Sequence, residues 1–280
     1  MSRETMSRHT ESTDLRIRKT STAGLTRQHL NEHGITRDEG AFLRAVVKAM
    51  NGDLDGYSLI DSMTNIKSKY DIDEDKLIKQ GQLKKHSGVA RRVYYSICPA
   101  GQKACRTTKE HGFMIGDRGD DTPHRVGVEL TRRYFEARDE VRFCEISSRE
   151  DGSRTDLTVI NTDFERIATV EVEGGRVSAD YGVEEGMKFG INDYDSIRHD
   201  YRVLAAADGE SVWVVRNHEI AANVLRALTA GGDIDVYVPH DSIRGIESKR
   251  VKVGEFNDEL ENQGNGLDRF LTFQQLRNRL

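Results

Sequence analysis

Apolar and polar positions divide the chain into a helical first part and a second part in which strands and helices alternate. In the first part, apolar residues recur at spacings of three and four from Phe42 to Met50, which predicts an amphipathic helix ended by Asn51 and Gly52. The pattern then predicts a helix through Leu59, Ile60 and Met63, a helix capped by Asp71 or Asp73 with Leu77 and Ile78 buried, an aromatic strand over 91–97, and a short helix that starts at Pro99.

The second part begins with a helix at Pro123, after which strands dominate. The predicted elements are strands at 141–146, 156–160 and 167–172, a helix at 191–204, a strand at 211–215, a helix at 220–228 and a strand at 234–238. This order predicts an α/β fold with a mixed central sheet and helices on both faces, preceded by a small α+β domain.

The predicted organisation has five segments, and 280 residues are enough for about two domains. The segments are a mobile arm at 1–35, the small domain at 36–110, a linker rich in glycine and aspartate at 111–122, the sheet domain at 123–240, and an extension at 241–280 that ends in an amphipathic helix. With 36% hydrophobic residues, the chain has enough apolar material for real cores, which excludes wholesale disorder.

Three carboxylates gather where two predicted strands of the sheet domain meet. Asp156 starts one strand, while Glu171 and Glu173 lie near the end of the next strand. Residues i and i+2 point to the same side of a strand, so the two glutamates share a side, and Asp156 faces them if the strands form a hairpin. Three such carboxylates repel one another unless a hard cation lies among them, so the spacing predicts a Mg²⁺ site. The alternative is an edge strand whose glutamates face solvent.

Charge is distributed unevenly along the chain. The segment from Lys76 to Arg106 contains eight basic and no acidic residues, so the remainder has a net charge of −13 against −5 for the whole chain. A basic island on an acidic protein indicates a polyanionic partner, and we predict double-stranded DNA. The predicted DNA-binding residues are Lys76, Lys79, Lys84, Lys85, Arg91 and Arg92. The alternative is a protein-binding module with a solvated basic face.

Other features limit the classes of function. The three cysteines lack the C-x-x-C spacing of zinc sites, and an odd number argues against a disulfide framework. No apolar run approaches 18 residues and the first residues lack an apolar core, so neither a transmembrane helix nor a secretory signal is expected. We therefore expect a cytoplasmic protein that needs no small-molecule cofactor.

The run LIKQGQLKKHSGVARRVYYSICPAGQKA resembles the third helix and wing of PadR- and MarR-type winged-helix proteins. The resemblance covers about residues 38–108, and the segment from Ser58 to Tyr70 is longer than the family pattern. It implies a winged helix-turn-helix in which Lys84, Lys85, Arg91 and Arg92 lie on the wing and contact phosphates. Lys76 and Lys79 would then lie on the helix that enters the major groove.

The strand order of residues 122–240, with Asp on the second strand and E-x-E on the third, resembles the PD-(D/E)xK restriction-endonuclease-like superfamily. The resemblance implies that Asp156 and Glu171 bind Mg²⁺ and that Glu129 is the acid of the first helix. Glu173 occupies the position where the family usually has a catalytic lysine. Lys188 is a candidate for a lysine that has moved elsewhere.

The combination of these regions with the TPHRVGVEL helix and the VEVEGG strand also resembles proteins of haloarchaeal plasmids and viruses. A high ratio of arginine to lysine, 29 to 13, agrees with salt adaptation in archaea. Three functions therefore remain open. They are a Mg²⁺-dependent DNA endonuclease, a non-catalytic DNA-binding regulator whose decayed nuclease core serves homodimerisation or partner binding, and a maintenance protein of a mobile element.

Overall fold

The computed structural model describes residues 17–107, 121–146, 149–150, 153–175, 194–236, 256–258, 260 and 266–280. In the first part, helices precede a two-stranded hairpin. Its elements are α1 (Arg27–Glu32), α2 (Arg37–Met50), α3 (Thr64–Lys67), α4 (Glu74–Lys79), β1 (Leu83–Val89), β2 (Arg92–Ile97) and α5 (Pro99–Cys105).

Local signals explain the best-predicted helices of this part. Thr36 and Glu39 form a capping box at the start of α2, and Asn51 caps its end, as the sequence indicates. Asp73 caps α4, and Pro99 occupies the first turn of α5.

Three predictions for the first part are wrong. The helix predicted through Leu59 and Met63 is not formed, because these two buried residues lie in turns before the four-residue α3. Ile78 was expected to be buried but is 37% exposed. The arm predicted as mobile is ordered from residue 17 onward, since it contains α1 and contributes Ile17 and other apolar side chains to the core. Residues 1–16 lie outside the described part.

The hairpin of β1 and β2 turns at two residues with left-handed backbone conformation. Ala90 has φ 46° and Arg91 has φ 59°, and the antiparallel register slips beside Gly88. Positive φ at two consecutive residues gives a tight turn whose twist matches that of the strands. The turn therefore places Arg91 and Arg92 at an exposed tip.

The second part is built on a five-stranded sheet, which confirms the predicted mixed α/β architecture. Its elements are α6 (Thr122–Glu136), β3 (Val141–Ile146), β4 (Arg149–Glu150), β5 (Ser153–Arg154), β6 (Leu157–Asn161), β7 (Arg166–Glu173), α7 (Tyr194–Ala206), β8 (Glu210–Val215), α8 (His218–Ala230), β9 (Arg269–Thr272) and α9 (Phe273–Arg279). The strand order is β3-β6-β7-β8-β9, while β4 and β5 form a separate small ladder. β3, β6 and β7 are antiparallel, and β8 and β9 continue the sheet in parallel.

The sheet's last strand comes from a different segment than expected. Residues 234–236 of the strand predicted at 234–238 are not in a strand, and 237–238 lie outside the described part. The C-terminal extension supplies β9 instead, and the amphipathic helix expected there is limited to α9. The sheet domain therefore does not end at residue 240. Most of the linker predicted at 111–122 is not described, and Thr122 already belongs to α6.

Helices cover both faces of the sheet. One face packs against α6 and α9 in a core that continues into the first part, and the other face packs against α7 and α8. α6 lies close to the sheet at Gly127, where a Cβ atom would come within 2.6 Å of Val172 and 2.3 Å of Phe273. None of the described helices is long and apolar enough to cross a membrane.

Candidate functional site

Pairing of β6 with β7 brings the predicted carboxylates together. Leu157 is opposite Val170 in the antiparallel register, so Asp156, one residue earlier, is next to Glu171. Val170 and Val172 are buried in the core beneath α6, and Glu171 and Glu173 therefore point to the other side of β7. The expected juxtaposition of Asp156, Glu171 and Glu173 is thus present at the end of β7.

Two groups orient the Asp156 carboxylate. Its Oδ2 accepts a hydrogen bond from the backbone N–H of Val172 at 2.8 Å, and its Oδ1 lies 3.2 Å from Nε2 of His124 in the first turn of α6. Burial acts to raise the pKa of Asp156, but His124 and the Val172 N–H outweigh it, and the pKa lies below its ordinary value. Asp156 is therefore the ionised member of the group.

Glu171 is the most constrained carboxyl of the site. Its side chain is buried, and its Oε1 atom has no hydrogen-bond partner among the described residues. Burial, the charges of Asp156 and Asp200, and a hydrogen bond with Asp156 raise the pKa of Glu171 well above its ordinary value. Without a cation, the protonated form of Glu171 is therefore favoured relative to that of an ordinary glutamate.

Asp200 on α7 joins this group, although the sequence analysis did not select it. Burial and the charges of Asp156 and Glu173 raise the pKa of Asp200 to about 7. A signal was present in the sequence, because Asp200 lies three residues after Ile197 and beside Tyr201 on the apolar stripe of α7. An acidic residue on the inner stripe of a helix requires a partner. His124 gave no comparable signal.

Glu173 lies at the more open end of the group. It is only partly exposed, and its Oε1 accepts a hydrogen bond from the backbone N–H of Gly175 at 2.7 Å. The charge of Glu173 contributes to the raised pKa values of Glu171 and Asp200, which places it in the same electrostatic group. Lys188, the candidate lysine, lies outside the described residues.

Glu129 does not join the carboxylate group. Its oxygens accept hydrogen bonds from Arg132 at 2.9 Å and from Arg133 at 2.6 Å on the same helix, and Arg133 also contacts Ser58 of the first part. These neutralising pairs give Glu129 a structural role at the contact between the two parts. The helix acid implied by the restriction-endonuclease resemblance is therefore not supplied by Glu129 in this arrangement.

The oxygen ligands of this carboxylate site, formed by Asp156, Glu171, Glu173 and Asp200, suit a hard divalent cation. Across the part of the chain that the structure describes, no three His, Cys, Asp or Glu side chains stand at the spacing of an assembled metal site. The buried Oε1 of Glu171 nevertheless needs a partner, and a cation would relieve the repulsion that raises the pKa of Glu171. The donor set is of the oxygen type that Mg²⁺ prefers, although the described side chains are not assembled into a metal site.

The predicted DNA-binding residues separate into two groups. Lys76 binds the buried Glu39 at 2.6 Å and Lys85 binds the buried Glu74 at 2.7 Å, so both lysines stabilise the fold. Lys79, Arg91 and Arg92 are exposed, and none forms an ion pair with another described residue. Lys84 on β1 is partly buried, so its exposure is intermediate between those of a buried and an exposed side chain.

The hairpin lies next to the carboxylate site. Arg216 follows β8, and its backbone N–H donates to the carbonyl of Glu173 at 3.0 Å. The Arg216 guanidinium donates to the carbonyl of Ser87 on β1, also at 3.0 Å. One residue therefore bridges the end of β7 and the hairpin, whose exposed tip carries Arg91 and Arg92.

No family model, curated protein or solved structure matches the chain.

Proposed function

We propose that this chain is a Mg²⁺-dependent nuclease that binds double-stranded DNA and hydrolyses a phosphodiester bond at the carboxylate site. The observation that carries the proposal is the buried carboxyl of Glu171, which, among the residues that the structure describes, faces Asp156 and Asp200 and no basic side chain. A purely structural site would balance these charges with lysine or arginine. Crowded carboxyls with perturbed pKa values are instead typical of functional sites.

In the proposed reaction, Asp156, Glu171 and Asp200 would hold the divalent cation. A bound cation would supply polarisation of the phosphate and a lower pKa for a water molecule. Glu173, held by the Gly175 N–H, would orient the attacking water and accept its proton at the carboxylate. As the water oxygen bonds to phosphorus, the P–O bond to the leaving sugar oxygen breaks, and that oxygen takes a proton from solvent. This assignment gives Glu173 the task that a lysine usually has in the restriction-endonuclease-like family.

The proposed DNA-binding surface is the hairpin tip together with the exposed end of α4. Arg91, Arg92 and Lys79 are exposed and form no ion pair with another described residue, and contacts from such side chains bind phosphates without reading sequence. Within this part, the order of α2, α3, α4, the hairpin and α5 supports a winged helix. Because Arg216 joins the hairpin to the end of β7, DNA held at the tip would lie beside the carboxylate site.

Plasmid nicking tests the catalytic part of the proposal. Supercoiled plasmid is incubated with the full chain and Mg²⁺ or Mn²⁺, with wild type compared against Asp156→Asn and Asp163→Asn. Asp163 is an exposed acid in the turn between β6 and β7 and serves as the matched control. Wild type and Asp163→Asn should nick the plasmid, and Asp156→Asn should not.

A non-catalytic DNA-binding regulator is the second candidate, and the lack of an assembled metal geometry among the described residues favours it. DNA binding by wild type without nicking in either metal would overturn the nuclease and support this candidate.

The binding surface itself is tested by the salt dependence of DNA affinity. Arg91→Gln should reduce the magnitude of the slope of the logarithm of the DNA association constant against the logarithm of the salt concentration by about 1. Arg142→Gln, on β3, should leave this slope unchanged.

A further inference from the structure

His124 contacts the carboxylate site from the opposite face of the sheet. It belongs to α6, whose core lies against one face, while Glu171 and Asp200 approach from the other. The His124 imidazole reaches Asp156 at the end of β6 with Nε2 3.2 Å from Oδ1, and both side chains are 18% exposed. Together with the Val172 N–H on Oδ2, this contact fixes both oxygens of Asp156.

The backbone of His124 is held tightly against the sheet. A Cβ atom on Gly174, just after β7, would come within 2.9 Å of the His124 backbone nitrogen and 3.0 Å of its Cα. The N–H of His124 also donates to Oδ1 of Asp121, which caps α6. Only glycine permits this approach, so the end of β7 and the start of α6 set the position of the imidazole together.

A buried chain of hydrogen bonds ties the same turn of α6 to the hairpin. Thr122 donates to the carbonyl of Tyr95 at 3.0 Å and lies 2.9 Å from the hydroxyl of Ser96. Ser96 in turn lies 2.8 Å from Nε2 of His86 on β1. His86, Ser96 and Thr122 are all buried, so these bonds are shielded from competing water.

We infer that His124 is a positioning residue that orients Asp156 for the divalent cation, and that the chain from His86 to Thr122 fixes His124 to the hairpin. This inference rests on the proposed function. A hydrogen-bond partner that orients a metal-binding carboxylate commonly contributes a factor of about 10 to 100 to metal affinity. The DNA-binding hairpin and the cation ligand would thus share one rigid connection.

Mn²⁺ binding to the full chain, measured by electron paramagnetic resonance without DNA, provides the test. The proteins are wild type, Asp156→Asn, His124→Ala, His124→Gln and His199→Ala, the last an exposed histidine of α7 used as the control. His124→Ala should weaken Mn²⁺ affinity about tenfold. His124→Gln should restore most of it, because its amide nitrogen can take the place of Nε2, and His199→Ala should match wild type.

The outcomes separate the inference from the function on which it rests. Equal Mn²⁺ affinity for wild type and His124→Ala, with none for Asp156→Asn, would overturn the role of His124 and leave the cation site intact. No Mn²⁺ binding by wild type would overturn both. If His124→Ala does not fold, Thr122→Val decides, since it breaks the link to Ser96 and Tyr95. Weaker Mn²⁺ binding by Thr122→Val then supports the inference, and wild-type affinity contradicts it.

Discussion

Glu74 in the first part and Glu171 in the sheet are buried to the same degree, each with 8% of its surface exposed, yet their pKa values move in opposite directions. Burial disfavours the ionised form of Glu74, but hydrogen bonds from Lys67, Lys85 and Tyr95 outweigh burial and lower its pKa to about 2. Glu171 faces carboxylates instead, and its pKa is raised.

The difference shows how the surroundings of a buried carboxylate distinguish a structural role from a functional one. Glu74 ties α3, β1 and β2 to α4, and its charge is fully compensated. Glu171 is held by the sheet in a position that costs stability, because burial and like charges both oppose ionisation. Strain of this kind is typical of functional sites, which is why the function we propose lies in the sheet and not in the lysine-paired network.

Glu74→Gln should give the largest effect, a loss of about 2 kcal/mol in the free energy of unfolding. The amide keeps the shape but removes the charge that holds both lysines, and their exposure of 40% limits the loss because they can turn to water. Urea denaturation at neutral pH measures it. An unchanged unfolding midpoint would show that the network is not structural and would remove the contrast with Glu171.

The pH dependence of that loss should identify its electrostatic origin. The folded pKa of Glu74, about 2, lies below its ordinary value of 4.5, so the stabilisation is complete above about pH 4.5 and disappears as pH falls towards 2. The difference in stability between wild type and Glu74→Gln should therefore shrink on acidification. A difference that stayed constant from pH 7 to pH 3 would instead indicate a packing defect.

Glu171→Gln should shift stability in the opposite direction, with a gain of about 1 kcal/mol in the absence of divalent cations. The amide removes a carboxyl that must take up a proton on folding, and it can still donate to Asp156. The same variant should lose Mn²⁺ binding. Thermal unfolding with EDTA measures the gain, and a destabilised Glu171→Gln would mean that the carboxyl has a stabilising partner.

Thr169→Val should have the smallest effect, a change of roughly 0.5 kcal/mol or less that favours the folded state. Thr169 lies on the same side of β7 as Glu171, and its buried hydroxyl also has no hydrogen-bond partner among the described residues. The Thr169→Val variant therefore measures the stability cost of an unsatisfied buried polar group apart from the cost of crowded carboxylates. A gain as large as that of Glu171→Gln would show that crowding is not the special property of Glu171.

The sequence by itself determined the features that depend on neighbouring residues. The caps and apolar stripes of α2, α4, α5 and α6 are local signals, and the helices follow them. Alternation along β7 and the turn before it were enough to predict that Asp156 meets Glu171 and Glu173. The spacings of three and four between Glu129 and Arg132 and Arg133 permit the ion pairs that the structure forms, but the sequence analysis assigned Glu129 to the carboxylate site instead.

Only the tertiary structure decided which distant residues complete each cluster. β9 pairs in parallel with β8 although more than 50 residues separate them, and a four-residue strand gives too short a pattern to reveal this. Asp200 and His124 reach Asp156 from helices on opposite faces of the sheet, which no spacing encodes. Lys85 and Arg91 both belong to the basic island of the sequence, but Lys85 binds the buried Glu74 and is structural, whereas Arg91 is exposed at the hairpin tip.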